Sequence, residues 1–220
     1  MSKVLEEANV LGLKVIAKLM EVNAESNTRF EGKALNPAVL ASAKALVFLK
    51  SIHGGLIVGG LHATGFMISH THTGAWSAPC FITLNRIEIG AVAGVETAHL
   101  LMASFTRQGV AELAAGEKHQ TFGSDVTFQL WPFSSTDSGP DDYASLDVAS
   151  DWVTAAAGQG FLFDFSLAGS SLSVDNAKNK NVYGEIGEDP ANILYGKVPH
   201  PVEMTPLYHK IKEIAARALD

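Results

Sequence analysis

The chain has 220 residues, a net charge of −7 and 47% hydrophobic residues, a composition typical of a packed globular protein. The negative charge argues against nucleic acid as a partner, because binding to a phosphate backbone depends on clustered lysine and arginine. No segment approaches the ~20 uninterrupted apolar residues of a membrane span, and the acidic start MSKVLEEANV is unlike a secretory signal peptide. We therefore expect one domain over residues 1–220, in a cytoplasmic or peripheral membrane protein. Its single cysteine, Cys80, is predicted to be a small buried hydrophobe.

Residues 2–24 are predicted to form an amphipathic helix with Ser2 as its N-cap. Apolar residues recur there at helical spacing, namely Val4, Leu5, Ala8, Leu11, Val15, Ile16, Leu19 and Met20. A membrane-binding helix usually carries an excess of lysine and arginine on its polar face. Here three lysines are balanced by three glutamates, namely Lys3, Lys14 and Lys18 against Glu6, Glu7 and Glu21. The balance favours packing of this helix on the protein's own sheet over insertion into a membrane.

A second helix is predicted to begin at Pro37, with Asn36 as its N-cap. The stretch from Gly54 to Thr97 then alternates short apolar runs with glycines, which is typical of β-strands that turn back on one another. Glycines within strands indicate bulges, strong coiling and close approach of backbones. We therefore expect a coiled antiparallel sheet that curves towards a partial barrel.

A turn followed by a strand is predicted at the segment GAWSAP, residues 74–79, because Pro79 cannot donate to a strand ladder. Trp76 in this turn brings a large apolar area and one N–H donor. A lone tryptophan among apolar strands is usually buried. We therefore favour Trp76 as a core anchor over Trp76 as a platform on which a ligand stacks.

The second half of the chain is predicted to hold short elements, in this order: a helix over 96–115, a half-buried strand within 121–133, strands over 160–174, a polar turn over 176–181, a short helix over 190–194 ended by Gly196, and a last helix over 206–219. Residues 149–157 are ambiguous between helix and strand, because alanine favours a helix whereas Trp152 and Val153 favour a strand. Together the elements predict an α+β fold, with a coiled antiparallel sheet or partial barrel flanked by N- and C-terminal helices.

Histidines are the first candidates for chemistry. His70 and His72 are two residues apart, so both would lie on one face of a strand, and His62 is near them in sequence. A metal site needs three or four converging ligands, and nothing in the sequence indicates the others, so neither a metal nor a cofactor is predicted. No P-loop, nucleophile or zinc-protease motif appears. An enzyme is therefore not predicted. A metal-dependent enzyme using these histidines, and a lipid or small-molecule carrier with a cavity in the sheet, are the alternatives.

Several glycine-rich and aromatic blocks follow one another in a specific order: GGLIVGG at 54–60, ATGFMISH at 63–70, TGAWSAP at 73–79, GAVAGVE at 90–96, GFLF at 160–163, NVYG at 181–184, ILYGKVP at 193–199 and PLY at 206–208. No single block is specific. Their order and spacing, from about Pro37 to Tyr208, closely resemble the SYLF domain family.

The resemblance implies a core over residues 37–208 whose structural motif is carried by Trp76, Ser77, Pro79, Gly94, Tyr183 and Gly196. It also implies a strand near 100–104, inside the region that is helical by pattern. SYLF domains are described as lipid-binding and actin-binding, so the resemblance implies a non-enzymatic module that engages membrane phospholipid (phosphoinositide included), actin, or both. Family members are reported to bind membranes through an N-terminal amphipathic segment, which makes Lys3, Lys14 and Lys18 the candidate lipid-binding residues.

Overall fold

The computed structural model describes residues 2–24, 35, 37–55, 58–89, 95–115, 120–121, 129–131, 152–158 and 170–218. Its helices are α1 (Ser2–Ala24), α2 (Pro37–Ser42), α3 (Arg107–Ala114), α4 (Asn176–Tyr183), α5 (Pro190–Leu194) and α6 (Thr205–Ala216). Its strands are β1 (Ala45–Gly55), β2 (Val58–Ser69), β3 (Cys80–Ile89), β4 (Val95–Ser104), β5 (Gln120–Thr121), β6 (Gln129–Trp131), β7 (Trp152–Gly158) and β8 (Ser171–Val174).

The described strands form one open sheet in the order β5-β8-β3-β2-β1-β4-β7-β6. The long neighbours β3, β2, β1, β4 and β7 pair antiparallel, whereas β6 runs parallel to β7. At Gly65 of β2, a Cβ atom would collide with the carbonyl oxygen of Phe48 on β1. This glycine therefore permits the close approach of backbones that glycines within strands predict. The predicted α+β fold, an antiparallel sheet with helices at both ends of the chain, is confirmed, and the sheet does not close into a barrel.

Helices cover both faces of this sheet. Phe48 and Phe66 stack with their ring centroids 5.2 Å apart on the face beneath α1, α2 and α6. Val47 and Met67 lie on the opposite face, in a second core shared with α3 and α5. Residues 45–49 are fully buried as a result, which explains why the sequence of β1 is an unbroken apolar run.

Residues 95–104 form strand β4, so the predicted helix over 96–115 is wrong in its first half. The helix α3 begins at Arg107. β4 pairs with β1 on one side and β7 on the other, and Leu100 and Leu101 lie in the two different cores. A strand buried on both faces has no apolar alternation to distinguish it from a helix. The strand that the family resemblance implied near 100–104 is confirmed.

The predicted polar turn at 176–181 is also wrong, because these residues lie in helix α4. Asp175 caps the helix by accepting the backbone N–H of Lys178 at 3.0 Å. Asn179 is fully buried, where its side chain accepts the N–H of Phe81 at 2.8 Å and donates to the carbonyl of Phe81 at 3.1 Å. The polar residues of this segment therefore cap the helix and bond it to β3, which composition does not reveal.

Other predicted elements are present with shifted bounds where the structure describes their residues. The ambiguous segment 149–157 overlaps strand β7, which begins at Trp152. The short helix from Pro190 ends at Leu194, close to Gly196, and the last helix spans Thr205–Ala216. β5 and β6 lie in or beside the predicted strand region 121–133, but residues 122–128, like 159–169 and Gly94, lie outside the described residues.

Helix α1 packs on the sheet, as its charge balance predicts. Val15, Ile16 and Leu19 are buried in the core beneath it. A Cβ atom at Gly12 would lie 2.5 Å from a terminal methyl carbon of Leu207, so α1 and α6 cross at close range. Ser2 is already the first helical residue and donates its hydroxyl to the carboxylate of Glu6 at 2.6 Å, so it is not the N-cap.

Candidate functional site

The turn between β2 and β3, residues 70–79, is where most of the motif residues meet. His70 and Trp76 form an antiparallel bridge across it, with their ring centroids 3.8 Å apart. Gly74 at the tip has φ 81°, in the left-handed region that favours glycine. The indole of Trp76 is partly buried and packs against the core beneath α1, which is the position of a core anchor.

Two tyrosine hydroxyls bond the C-terminal helices to this turn. Tyr208 of α6 donates to the carbonyl of Ser77 at 2.8 Å, and Tyr183 of α4 donates to the carbonyl of Pro79 at 2.7 Å. Burial raises the pKa of both phenols well above the usual tyrosine value, so both remain protonated donors. The WSAP segment therefore serves as the attachment point for two helices.

Gly196, after α5, contacts the same turn from the other side. It has φ 84°, and a Cβ there would lie 2.6 Å from the Cγ2 atom of Thr71. Ser69 donates its hydroxyl to the carbonyl of Leu194 at 2.6 Å, which fixes the end of α5 against β2. Five of the six motif residues thus surround one turn. The sixth, Gly94, lies outside the described residues.

Cys80 follows this turn at the first position of β3 and is fully buried. Burial raises the pKa of its thiol to about 12. A catalytic cysteine needs a lowered pKa and access to solvent, so Cys80 has the environment of the buried hydrophobe that the sequence predicts.

Beside the turn lies a small cavity of about 170 Å³ lined by Lys44, His70, Arg107, Val110, Ala111 and Tyr195. We call the group Lys44, His70, Arg107 and Tyr195 the basic pocket. The His70 ring donates Nδ1–H to the carbonyl of Gly74 at 2.9 Å, because a carbonyl can only accept. Burial lowers the pKa of His70 despite this bond, and the charges of Lys44 and Arg107 lower it further. His70 is therefore neutral at pH 7, with Nε2 as its unprotonated nitrogen.

A second group of positive charges lies on the face of the sheet that α1 covers. Lys14 and Lys18 of α1 and Lys50 of β1 surround the buried His99 of β4, which pairs with Lys50 in register. We call these three lysines the lysine cluster. Burial lowers the pKa of His99, and the charges of Lys14, Lys50 and Lys18 lower it further. Lys18 also forms a 2.6 Å ion pair with Glu21.

The structure thus brings together two of the three predicted lipid-binding lysines. Lys3 precedes Lys14 by eleven residues, or about 16 Å along the axis of a helix that rises ~1.5 Å per residue. Lys3 and Lys14 are both exposed, but they lie at opposite halves of α1. Lys3 therefore belongs to a different part of the surface.

The three histidines of the metal hypothesis do not converge. His62 bonds through Nδ1 to the side chain of Asn85 at 2.7 Å, His70 faces Gly74, and His72 is exposed in the turn. Within the described ranges, no group of three or more histidine, cysteine, aspartate or glutamate side chains has an arrangement that could hold a metal ion.

Comparison with known proteins identifies the family of the chain. Residues 85–214, more than half of its length, match the family model "Ysc84", described as "Las17-binding protein actin regulator". The chain belongs to the Ysc84 family. This is the family that the SYLF motifs indicate. No solved structure matches the chain significantly.

Individual relatives of this Ysc84 member come from animals and yeast. SH3 domain-containing YSC84-like protein 1 is 27% identical over 190 residues in Xenopus laevis, covering 86% of this chain and 56% of the relative. The protein of the same name in Homo sapiens is 26% identical over 196 residues, covering 89% of the chain and 56% of the relative. LAS seventeen-binding protein 3 of Saccharomyces cerevisiae is 22% identical over 203 residues, covering 92% and 44%. The chain therefore spans about half the length of the curated relatives it matches.

Sequence reasoning missed Lys44, Arg107 and Tyr195 of the basic pocket, Lys50 of the lysine cluster, and His99, which Lys50 faces. The members of each group come from separate segments of the chain, so no local spacing connects them. The register that places Lys50 beside His99 could have been found had residues 95–104 been assigned to a strand.

Among the described residues, no helix is both long enough and apolar enough to cross a bilayer.

Proposed function

We propose that this chain is a non-enzymatic binding module that acts on actin, and that it also binds anionic phospholipid membranes through the lysine cluster. The observation that supports the first part is the family match over residues 85–214, because the family is described as an actin regulator. The names of the relatives, YSC84-like protein and LAS seventeen-binding protein, contain the same terms as the family description.

The lysine cluster supports the second part. The chain as a whole is acidic, with 23 acidic against 16 basic residues, so three lysines gathered about His99 on one face stand out. Clustered basic residues attract anionic lipid by about 1 kcal/mol per charge near the membrane surface. The ion pair between Lys18 and Glu21 offsets part of this charge.

Membrane contact in this state would be electrostatic. The apolar face of α1, with Val15, Ile16 and Leu19, is occupied by the core. Val10 on the outer face is 61% exposed and lies on the same side of the helix as Lys14. The docked helix therefore offers lysines and one valine to a surface, which suits adhesion to headgroups and not deep insertion.

Co-sedimentation with actin filaments tests the first part. We expect the purified chain to pellet with filaments in proportion to their concentration. The double variant Lys14→Ala/Lys50→Ala serves as a second sample, since loss of filament binding in it would place actin on the same surface as lipid. A chain that stays in the supernatant at every filament concentration would remove the actin proposal.

Sedimentation with vesicles tests the second part. We expect binding to phosphatidylcholine vesicles that contain phosphatidylserine, weaker binding at higher salt because of screening, and none to phosphatidylcholine alone. Each lysine of the cluster replaced by alanine should weaken binding about fivefold, whereas the control Lys212→Ala on α6 should not. Glu21→Gln, which releases Lys18, should strengthen it. Equal binding to neutral vesicles, or no effect of the cluster variants, would contradict the proposal.

A further inference from the structure

The basic pocket is separate from the lysine cluster. Lys44 and Lys50 are six residues apart along β1, which corresponds to about 20 Å at ~3.3 Å per residue. The pocket is also walled by Val110 and Ala111 of α3 and by Tyr195 after α5, and these two helices pack on the face opposite α1. A ligand held here would not be held by the cluster.

The polar groups that line the pocket beside Val110 and Ala111 are donors and cations. Lysine and arginine carry several N–H donors and no acceptor, and none of the described residues that line the cavity is acidic. Within the part of the chain that the structure describes, neither Lys44 nor Arg107 forms an ion pair. The two cations are close enough to His70 to disfavour its protonation. An anion placed among them would relieve this repulsion.

Backbone hydrogen bonds form a frame that fixes the chain positions from which these side chains extend. His70 N–H donates to the carbonyl of Lys44 at 2.8 Å, and Lys44 N–H donates to the carbonyl of Ser104 at 2.7 Å, three residues before Arg107. The His70 ring is held between its bond to Gly74 and its contact with Trp76. The starting points of all three side chains are therefore set before any ligand arrives, which reduces the entropy lost on binding.

Size decides the class of ligand. A cavity of about 170 Å³ has room for roughly five or six waters at ~30 Å³ each, and is below the ~300 Å³ at which drug-sized ligand pockets begin. The cavity is too small to enclose a whole nucleotide or an acyl chain. A phosphate group fits, and brings about −1.5 to −2 charges with three acceptor oxygens, which match one lysine, one arginine fork and a tyrosine hydroxyl better than a single carboxylate does.

We propose that Lys44, Arg107, His70 and Tyr195 form a binding site for a small dianionic oxyanion of phosphate size. The same chemistry is offered by free phosphate and by a phosphate monoester on a larger molecule. In either case Lys44 and Arg107 supply the charge, Tyr195 donates from the rim, and His70 becomes a further donor once it is protonated.

Titration with inorganic phosphate at constant ionic strength tests the site, followed by calorimetry and by the NMR signals of the His70 imidazole and the Trp76 indole. We expect saturable binding with shifts at both rings. Lys44→Ala and Arg107→Ala should each weaken binding about tenfold, as expected for the loss of a charged hydrogen bond. Arg107→Lys should fall between wild type and alanine, because it keeps the charge but loses the fork. The matched control Lys212→Ala, exposed on α6, should bind as wild type.

The pH dependence adds an independent readout, with sulfate as the probe because it does not titrate near neutral pH. Among the described residues, the charged or titratable groups that face His70 are Lys44 before β1, Arg107 on α3 and Tyr195 after α5. Sulfate affinity should rise as the pH falls below 6.5, and His70→Gln should abolish the rise. Titration with glycerol phosphate separates the sources: tighter binding than inorganic phosphate indicates a monoester, and equal binding indicates the free ion. Absence of ring shifts with phosphate and sulfate, or wild-type binding by both alanine variants, would overturn the proposal.

Discussion

The basic pocket and the lysine cluster each place positive charges about a histidine of lowered pKa, but they are built differently. In the pocket, His70 is bonded through Nδ1 to Gly74, and the turn that carries it is bonded to α4 and α6. In the cluster, long side chains of α1 and β1 reach across exposed surface. The Nε2 atom of His99 has no hydrogen-bond partner among the described residues. The first arrangement fixes its histidine to a turn that two helices support, whereas the second concentrates charge.

This difference assigns the two groups different ligands. Donors that surround a small cavity select an anion by size and geometry, whereas lysines spread over an open surface attract any dense negative surface and are screened by salt. Substitutions in the frame of the pocket should therefore reduce stability strongly, and substitutions in the cluster weakly. The expected outcomes below run from the largest effect to the smallest.

Asn179→Ala should lower the free energy of unfolding by about 3 kcal/mol, because it leaves the buried backbone groups of Phe81 without their partner and opens a cavity. Asn192→Ala is the control. Its side chain bonds to Ile186 and Lys197 near the surface, and its loss should cost less than about 1 kcal/mol. Urea denaturation measures both. Equal losses of unfolding free energy in the two variants would show that Asn179 does not belong to the frame that supports the pocket.

Gly196→Ala should destabilise by about 2 kcal/mol, since it combines a left-handed backbone with a collision against Thr71. Gly74→Ala is the matched control, with φ 81° but open space around the new methyl group, and should cost about 1 kcal/mol. Thermal unfolding of the two variants gives the difference. If Gly74→Ala were the more costly, contact between α5 and the turn would not support the pocket.

Tyr183→Phe and Tyr208→Phe should each cost about 1 kcal/mol, the usual net worth of one hydrogen bond. Tyr195→Phe is the control, because Tyr195 is 42% exposed and no hydrogen bond from its hydroxyl to a described residue is seen. The two buried variants should also weaken phosphate binding by loosening the turn. Thermal unfolding of all three variants measures their stability. If Tyr183→Phe and Tyr208→Phe are as stable as Tyr195→Phe, the rings and not the hydroxyls hold the helices.

Stability should fall as the pH drops below 6.5. The pKa of His70 and that of His99 are lower in the folded protein than the ordinary value of 6.5, so the unfolded chain binds more protons in this range. The stabilisation is complete above pH 6.5 and is lost as the pH falls through the folded pKa values. His99→Gln and His70→Gln should each flatten the curve of unfolding free energy between pH 7 and pH 5. A curve of unchanged slope in both variants would assign the pH dependence to other groups.

The smallest effect concerns single charges. Lys50→Ala should raise the pKa of His99 and leave that of His70 unchanged, whereas Arg107→Ala should do the reverse, because each lysine or arginine acts on the histidine it faces. NMR titration of the imidazole signals measures this directly. A shift of both histidines in either variant would mean that the two groups are not electrically separate.

The family and the sheet could be predicted from the sequence because they depend on local signals: glycine spacing, the WSAP turn, and proline or glycine at helix ends. Strand β4 could not be predicted from its own pattern, because burial on both faces removes the alternation that marks a strand, and only the family resemblance implied it. Helix α4 could not be predicted either, because its polar residues are typical of a turn. Only the structure shows that Asn179 is buried and bonds to the backbone of Phe81. The basic pocket could not be predicted because Lys44 and Arg107 become neighbours only through the pairing of β1 with β4.

The crossing of α1 and α6 has a consequence for how the protein is made. The groove that receives α1 includes Leu207, whose N–H donates to the side chain of Asn9 at 3.0 Å. On the ribosome, chains emerge from the N-terminus at about 5–20 residues per second. For the tens of seconds before α6 follows, the part of the first helix around Asn9 and Gly12 lacks the contact that Leu207 provides, and a chaperone or a nearby bilayer can reach it in this interval.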